Sequence, residues 1–100
     1  MLRPLPFTPD ELRAFCARWK IAELSLFGSF LREDFGPESD VDVLVRFAPD
    51  AGWSLFDLAE MKLALEDRFG RPVDVVEVDG LRNPFRRQHI LAHREVVHAA

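Results

Sequence analysis

Hydrophobic residues recur along this chain with two different periods, which predict helices and strands in alternation. Near the start, one helical face is indicated by the spacing i, i+3, i+4, i+7 of four apolar residues, Leu12, Phe15, Cys16 and Trp19. The residues before them, Thr8-Pro9-Asp10-Glu11, have the composition of a helix start with a capping box. We therefore predict a first helix capped by Thr8.

Period-2 alternation over residues 40–47 predicts a strand with two unlike faces. One face receives Val41, Val43, Val45 and Phe47, and the other receives Asp40, Asp42, Leu44 and Arg46. Shorter apolar runs predict further strands over residues 23–28 and 73–78, and a short edge strand over 95–97.

Capping residues and helix breakers delimit the remaining helices. Ser54 caps a predicted helix over residues 55–69, which Gly70 and Pro72 end. Its expected buried side consists of Leu55, Leu58, Met61, Leu65 and Phe69. A short helix over 29–34, capped by Ser29, and a last helix over 84–93 complete the prediction.

The order of these elements indicates an α/β (α+β) fold: a small mixed β-sheet of three to four strands flanked by helices, in a single domain over residues 1–100. The second and third strands are joined through a helix, so we expect them to be parallel, with the first antiparallel to the second. This topology brings Asp40, Asp42, Asp74 and the Gly28-Ser29 pair to one edge of the sheet.

Carboxylates gathered at one edge favour a divalent metal ion. Asp40 and Asp42 point the same way from a strand, and Asp74 adds a third acid from the neighbouring strand. Hard oxygen ligands of this kind suit Mg²⁺ or Mn²⁺. Two such ions can hold the attacking and leaving oxygens of a phosphoryl displacement, and Asp74 can instead serve as a base.

The Gly28-Ser29 turn adds the features of a phosphate site. Gly28 allows close backbone approach, Ser29 supplies a hydroxyl, and Arg32 can reach the same anion. Each feature also has a structural interpretation, because Gly-Ser is common in turns, acids often open solvated strands, and Arg32 can pair with Glu33 or Glu38. The combination at fixed spacing favours a site for a metal-bound nucleoside triphosphate.

Composition restricts the function further. The net charge of -4 argues against a general nucleic-acid binder. The last 20 residues are nevertheless basic, with four arginines (82, 86, 87 and 94) against Glu95, and form either a contact for phosphate, RNA or an acidic partner, or a solvated helix face. Cys16, the single cysteine, is expected in the core. No apolar run has the length of a membrane span and no signal peptide is evident, so we expect a cytoplasmic protein.

With these residues in view, the chain resembles the nucleotidyltransferase superfamily that includes DNA polymerase beta, and most closely its minimal (MNT) branch. That branch shows Gly-Ser, ten residues and then Asp-x-Asp, which Gly28, Ser29, Asp40 and Asp42 match. Its arginine after the serine matches Arg32, and its third acid, in a Val-Asp-hydrophobic segment, matches Asp74. A glycine often follows that arginine, where this chain has a glutamate. The resemblance covers residues 10–97.

The resemblance implies transfer of a nucleoside monophosphate, most often AMP from ATP, to a hydroxyl acceptor. Gly28 and Ser29 would then bind the triphosphate, Asp40 and Asp42 the metal, and Asp74 the metal or a proton; Arg32 as a phosphate ligand is our own inference. Many minimal members resemble antitoxins paired with an HEPN-type RNase toxin, which they adenylylate, bind, or both. The small size leaves an alternative open, a non-catalytic nucleotide-binding antitoxin or regulatory subunit that acts by forming a complex.

Overall fold

A computed structural model describes residues 4–100, in which four β-strands form one mixed sheet. The elements are α1 (Pro9–Arg18), β1 (Ile21–Phe27), a 3₁₀ helix (Gly28–Leu31), β2 (Val41–Phe47), α2 (Leu55–Phe69), β3 (Val73–Glu77), a second 3₁₀ helix (Val78–Gly80), α3 (Pro84–Ala92) and β4 (Glu95–Ala99). The predicted α/β class, with a small mixed sheet flanked by helices, is confirmed.

The two longer predicted helix starts are confirmed by their capping contacts. At α1, the Thr8 hydroxyl accepts from the Glu11 N–H, and the Glu11 carboxylate accepts from the Thr8 N–H. Ser54 and Asp57 exchange the same pair of contacts at α2. These hydrogen bonds from Ser54 lower the pKa of the Asp57 carboxyl. Helix α2 ends at Gly70, whose φ of 68° is in the left-handed region, as the sequence predicts.

Strand pairing follows the predicted topology. The strand order is β3-β2-β1-β4, with β2 and β3 parallel and β1 antiparallel to both β2 and β4. Strand β4 is longer than the predicted edge strand and pairs with β1. Strands β3 and β4 therefore form the two edges of the sheet.

Each face of the sheet packs against different helices. The odd-numbered valines of β2 lie in a core with side chains of α1 and α2, including Leu12, Cys16, Met61 and Leu65. On the opposite face, Leu44 packs with Val78, Leu81 and Ile90, which belong to the chain segment of α3 and the turn before it. Burial raises the pKa of the Cys16 thiol to about 11, as expected of a core cysteine. No helix among residues 4–100 is both long and apolar enough to cross a membrane.

Two local predictions were wrong. Leu55 was expected on the buried side of α2, but its side chain is 84% exposed because it lies at the first helical position, beyond the edge of the core. The predicted helix over 29–34 is a 3₁₀ helix that ends at Leu31, and Ser29 does not cap it. The Ser29 side chain bonds to the backbone of the chain before β2 instead.

Ser25, in the middle of β1, gives a stability prediction. Its side chain is fully buried, and its hydroxyl has no hydrogen-bond partner among the described residues. Replacing Ser25 with alanine removes this unsatisfied group, so we expect Ser25→Ala to raise the free energy of unfolding by about 1 kcal/mol in urea denaturation. The helix-capping Ser54→Ala should lower it by about 1 kcal/mol. A loss of stability in Ser25→Ala would contradict an unpaired hydroxyl.

Candidate active site

The candidate site lies where the end of β1 meets the starts of β2 and β3. In the sheet register, Asp42 is paired with Phe27 on one side and with Asp74 on the other. Gly28 follows β1 directly, and Asp40 directly precedes β2. The structure therefore brings the predicted residues together at one end of these three strands. We call this place the acidic edge and define it by Asp40, Asp42 and Asp74.

Gly28 packs so closely against the Asp42 side chain that a larger residue would displace the carboxylate. Its φ of 68° is in the left-handed region, where a side chain is strained. A Cβ built on Gly28 would lie 3.1 Å from Cγ of Asp42 and closer still to Oδ2. Glycine is therefore favoured here both by backbone conformation and by the approach of the carboxylate.

Ser29 ties the turn to the acidic edge through two groups. Its hydroxyl donates to the backbone carbonyl of Asp40 over 2.9 Å. Its backbone N–H donates to the carboxylate of Asp42. The turn and the two aspartates are thus held as one unit. The Ser29 hydroxyl has to leave the Asp40 carbonyl before it can donate a hydrogen bond to an incoming phosphate.

The surroundings of Asp42 shift the pKa of its carboxyl group. Partial burial and then the negative charge of Asp74 raise the pKa of Asp42, and the charge of Asp40 adds to the rise. The Ser29 N–H and the positive charge of Arg32 act in the opposite direction. The repulsion from Asp74 and Asp40 is the part of this rise that a bound cation would relieve.

Arg32 lies near the acidic edge but is engaged locally. Its charge acts on Asp42, while its Nε forms an exposed ion pair with Asp34 over 3.2 Å. An exposed pair of this kind contributes little stability and is readily exchanged for another anion. The position is therefore compatible with the predicted role of Arg32 toward phosphate.

The carboxylates of the acidic edge are chemically suited to bind a hard divalent cation. Asp40, Asp42 and Asp74 offer only carboxylate oxygens, the ligands that Mg²⁺ and Mn²⁺ prefer. Within residues 4–100, however, no three acidic, histidine or cysteine side chains are gathered closely enough to form a metal-binding group. A side-chain rearrangement would be needed to bring their oxygens around one ion, and a bound cation would offset the repulsion between them.

Arg71 supports the acidic edge and could not be found from the sequence pattern. Its guanidinium donates to the carbonyl oxygens of Gly36 and Ser39, over 2.8 and 3.0 Å, and lies over the Phe35 ring at 4.3 Å. These contacts fix the loop that leads into Asp40. They join residues more than 30 positions apart, so no local spacing indicates them.

The basic C-terminal segment is partly occupied with structural contacts. Arg87 donates to the backbone carbonyl of Val78 over 2.8 Å, and Arg94 lies 3.3 Å from the Glu23 carboxylate. Arg82 and Arg86 are exposed. The segment therefore divides into two arginines that hold the fold and two that face solvent.

Known proteins resemble this chain in sequence over most of its length. The model of the family described as Nucleotidyltransferase domain matches residues 11–97. A relative in Methanocaldococcus jannaschii, named as a protein adenylyltransferase, is 37% identical over 71 residues, which are 71% of this chain and 73% of the relative. Protein adenylyltransferase MntA of Thermococcus cleftensis is 33% identical over 81 residues, covering 81% of this chain and 77% of the relative.

Solved structures show the same fold. One, described as a minimal nucleotidyltransferase, has a TM-score of 0.71 and 36% identity, and covers 87% of this chain and 86% of its own. A toxin-antitoxin structure with AMP-PNP has a TM-score of 0.73 at 17% identity, over 94% and 75% of the two chains. A complex of a tri-AMPylated HEPN toxin with an MNT antitoxin from Shewanella oneidensis gives 0.65 at 17% identity, over 92% and 70%. At 17% identity the likeness shows the fold alone.

Proposed function

The chain belongs to the nucleotidyltransferase family, and we propose that it transfers AMP from ATP to a hydroxyl group of a partner protein. The observation that carries the proposal is the acidic edge, where Asp42 and Asp74 are register partners on neighbouring strands and Gly28 closes against Asp42. A site for nucleotide binding alone needs no such concentration of carboxylates.

The proposed reaction is an in-line displacement at the α-phosphorus of ATP. The acceptor oxygen forms a bond to that phosphorus as the bond to the oxygen bridging the α- and β-phosphates breaks, and pyrophosphate leaves. The acceptor proton passes to Asp74, which is more exposed than its register partner Asp42, and from there to solvent. Gly28, Ser29 and Arg32 bind and orient the triphosphate through backbone N–H groups, a hydroxyl and a guanidinium.

A divalent cation, Mg²⁺ or Mn²⁺, fits the carboxylates proposed to bind it. Asp40 and Asp42 would hold it, with Asp74 as a further ligand. When bound, it neutralises phosphate charge and stabilises the oxygens of the displacement. Partial burial, and then repulsion from Asp74 and Asp40, raise the pKa of Asp42, and a cation would relieve that repulsion.

The proposed acceptor is an HEPN-type toxin, with this chain as its antitoxin in the cytoplasm, where ATP is available. Support comes from relatives: MntA of Thermococcus cleftensis is named a protein adenylyltransferase, and the Shewanella oneidensis structure pairs an MNT antitoxin with a tri-AMPylated HEPN toxin. The chain also exposes large apolar side chains that a partner can cover, namely Leu55, Phe56, Leu63 and Phe85.

A second candidate function is a binding module that neutralises the toxin by forming a stoichiometric complex. It is favoured by the same exposed apolar side chains, and by the absence of a gathered metal-binding group within the described residues. Under this alternative the acidic edge would bind a nucleotide without catalysis.

Labelled ATP distinguishes the two functions. ATP labelled at the α-phosphate or at the γ-phosphate is incubated with Mg²⁺, this protein and the HEPN-family protein of the same organism. We expect label on the HEPN protein from the α position only, with release of pyrophosphate. Label from the γ position would indicate phosphoryl transfer. A stable complex without label from either position would support the binding module.

A further inference from the structure

Strand β3, which carries Asp74, has a free edge whose backbone polarity can be assigned. The Val41 N–H donates to the Pro72 carbonyl, so the parallel ladder directs the N–H and C=O of Asp74 and Val76 toward β2. Successive residues alternate, and the corresponding groups of Val75 and Glu77 therefore face outward. The second 3₁₀ helix begins directly after Glu77, so its first turn uses the Glu77 carbonyl. Among the described residues, the backbone groups of Val75 and the N–H of Glu77 make no backbone hydrogen bond outside the sheet.

The free edge of β3 forms the floor of a groove. One wall is α2, with Leu58, Ala59 and Lys62, and the other is formed by Gly80, Leu81 and Arg86. This cavity measures about 390 Å³ and begins at Asp74. A second cavity of about 450 Å³ shares Leu58 and Glu77 with it, reaches Leu55, and is otherwise lined mainly by the end of β2 and the loop that follows it. We call the two adjoining cavities the β3 groove.

The groove and the acidic edge share Asp74, and the geometry of sheets links them. Residues opposite one another on paired strands direct their side chains to the same face of the sheet. A residue opposite Asp74 on an added strand would therefore project to the face that carries Asp42, in one lateral row with both acids. Strands lie about 4.8 Å apart, so a hydroxyl-bearing side chain in that row is within reach of the acids.

We propose that the β3 groove binds an extended segment of the protein acceptor as a fifth strand, with its hydroxyl residue opposite Asp74. The inference rests on the proposed function and adds to it the conformation of the acceptor and the way in which it is recognised. Three features support this occupant: the outward N–H and C=O groups of Val75 with the outward N–H of Glu77, continuity with the acidic edge, and a cation on each wall.

The two wall cations also indicate the composition of the acceptor segment. Lys62 lies on α2 and Arg86 on α3, and both line the cavity that begins at Asp74. Acidic residues beside the acceptor hydroxyl would be attracted by both side chains. At the far end of the groove, Leu55 is 84% exposed and offers an apolar contact. The matching segment is therefore acidic near its hydroxyl residue and apolar at one end.

A proline at position 75 tests the backbone contact. Val75→Pro removes an outward N–H without removing a hydrogen bond to β2. We expect it to lower α-label transfer to the HEPN-family protein at least tenfold while AMP-PNP affinity stays close to that of the unmodified chain. Because the Val75 side chain packs against the core, the variant should lose some thermal stability, and transfer is measured at a temperature where it is folded. The control is Ala99→Pro on β4: the Ala100 N–H faces β1, so the N–H of Ala99 faces outward at the opposite edge. Ala99→Pro should transfer AMP at the normal rate.

A second pair of variants tests the groove without altering the strand. Ala59→Trp fills the groove from an exposed position on α2, whereas Ala14→Trp makes the same change on the exposed surface of α1. We expect the first to lower transfer at least tenfold and the second to leave it unchanged. Normal transfer in both Val75→Pro and Ala59→Trp would overturn the proposal.

Amide hydrogen exchange gives a direct readout that separates this proposal from the proposed function. In the free chain, the amides of Val75 and Glu77 should exchange faster than those of Asp74 and Val76. Binding of the HEPN-family protein should protect Val75 and Glu77. If AMP is transferred without that protection, the groove proposal fails alone, and if no AMP is transferred by the unmodified chain, the proposed function fails with it. The amides of Val75 and Glu77 could instead be protected in the chain alone. If Val75→Pro then loses both this protection and a dimer, the edge of β3 binds a second copy of the chain, and the proposal is overturned.

Discussion

Asp42→Asn is expected to lower AMP transfer at least about a hundredfold, the scale on which a single electrostatic contributor acts in an active site. The substitution removes the charge at the centre of the acidic edge, next to Asp74 and Asp40. Asparagine keeps a side-chain oxygen that can accept the Ser29 N–H, so the turn should stay in place. The measurement is the initial rate of α-label transfer to the HEPN-family protein at saturating Mg²⁺.

The stability of Asp42→Asn separates loss of chemistry from loss of fold. Because partial burial and neighbouring acids disfavour the charged carboxylate, its removal should leave the free energy of unfolding unchanged or slightly higher. Asp67→Asn, an exposed substitution on α2 that lines no described cavity, serves as the matched control and should transfer AMP normally. Transfer by Asp42→Asn at the rate of this control would refute the assignment of Asp42.

Gly28→Ala is expected to impair the site through a single added methyl group. Its left-handed φ costs a non-glycine residue about 1–2 kcal/mol. The new Cβ would also push the Asp42 carboxylate away from its position, because it would lie 3.1 Å from Cγ. We expect transfer to fall at least about tenfold, measured with the same label, together with a loss of stability in urea.

Gly70→Ala is a closely matched control for this prediction. Gly70 has the same φ of 68°, but a Cβ added there meets no atom within 4 Å. The control should therefore lose stability by a similar backbone strain and keep its transfer rate. Equal rates in Gly28→Ala and Gly70→Ala would show that the approach of Gly28 to Asp42 has no role in the reaction.

The parts of the fold that the sequence predicts well are those fixed by neighbouring residues. Helix α2 has the predicted bounds because Ser54 with Asp57 caps one end and Gly70 breaks the other. Strand β2 alternates as predicted because its two faces meet different cores. The parallel pairing of β2 and β3 follows from the crossover through α2, and it alone brings Asp42 and Asp74 together.

The parts that could not be predicted depend on contacts between distant residues. The Ser29 hydroxyl bonds to the Asp40 carbonyl, 11 positions away, in preference to capping a helix. Arg71 fixes the loop before Asp40 from beyond α2. The exposure of Leu55 depends on where the core ends, which helical periodicity does not show. The β3 groove likewise exists only once the order of strands is known.

The central claim is that this chain is a catalyst of AMP transfer, and turnover tests it most directly. The HEPN-family protein is supplied in large molar excess over this chain, with ATP and Mg²⁺, and the AMP groups transferred per chain are counted over time. The account predicts many transfers per chain, and none above background with Asp42→Asn. Inhibition of the HEPN protein only at equal molar amounts of this chain, without AMP attachment, would contradict it, as would equal inhibition by Asp42→Asn.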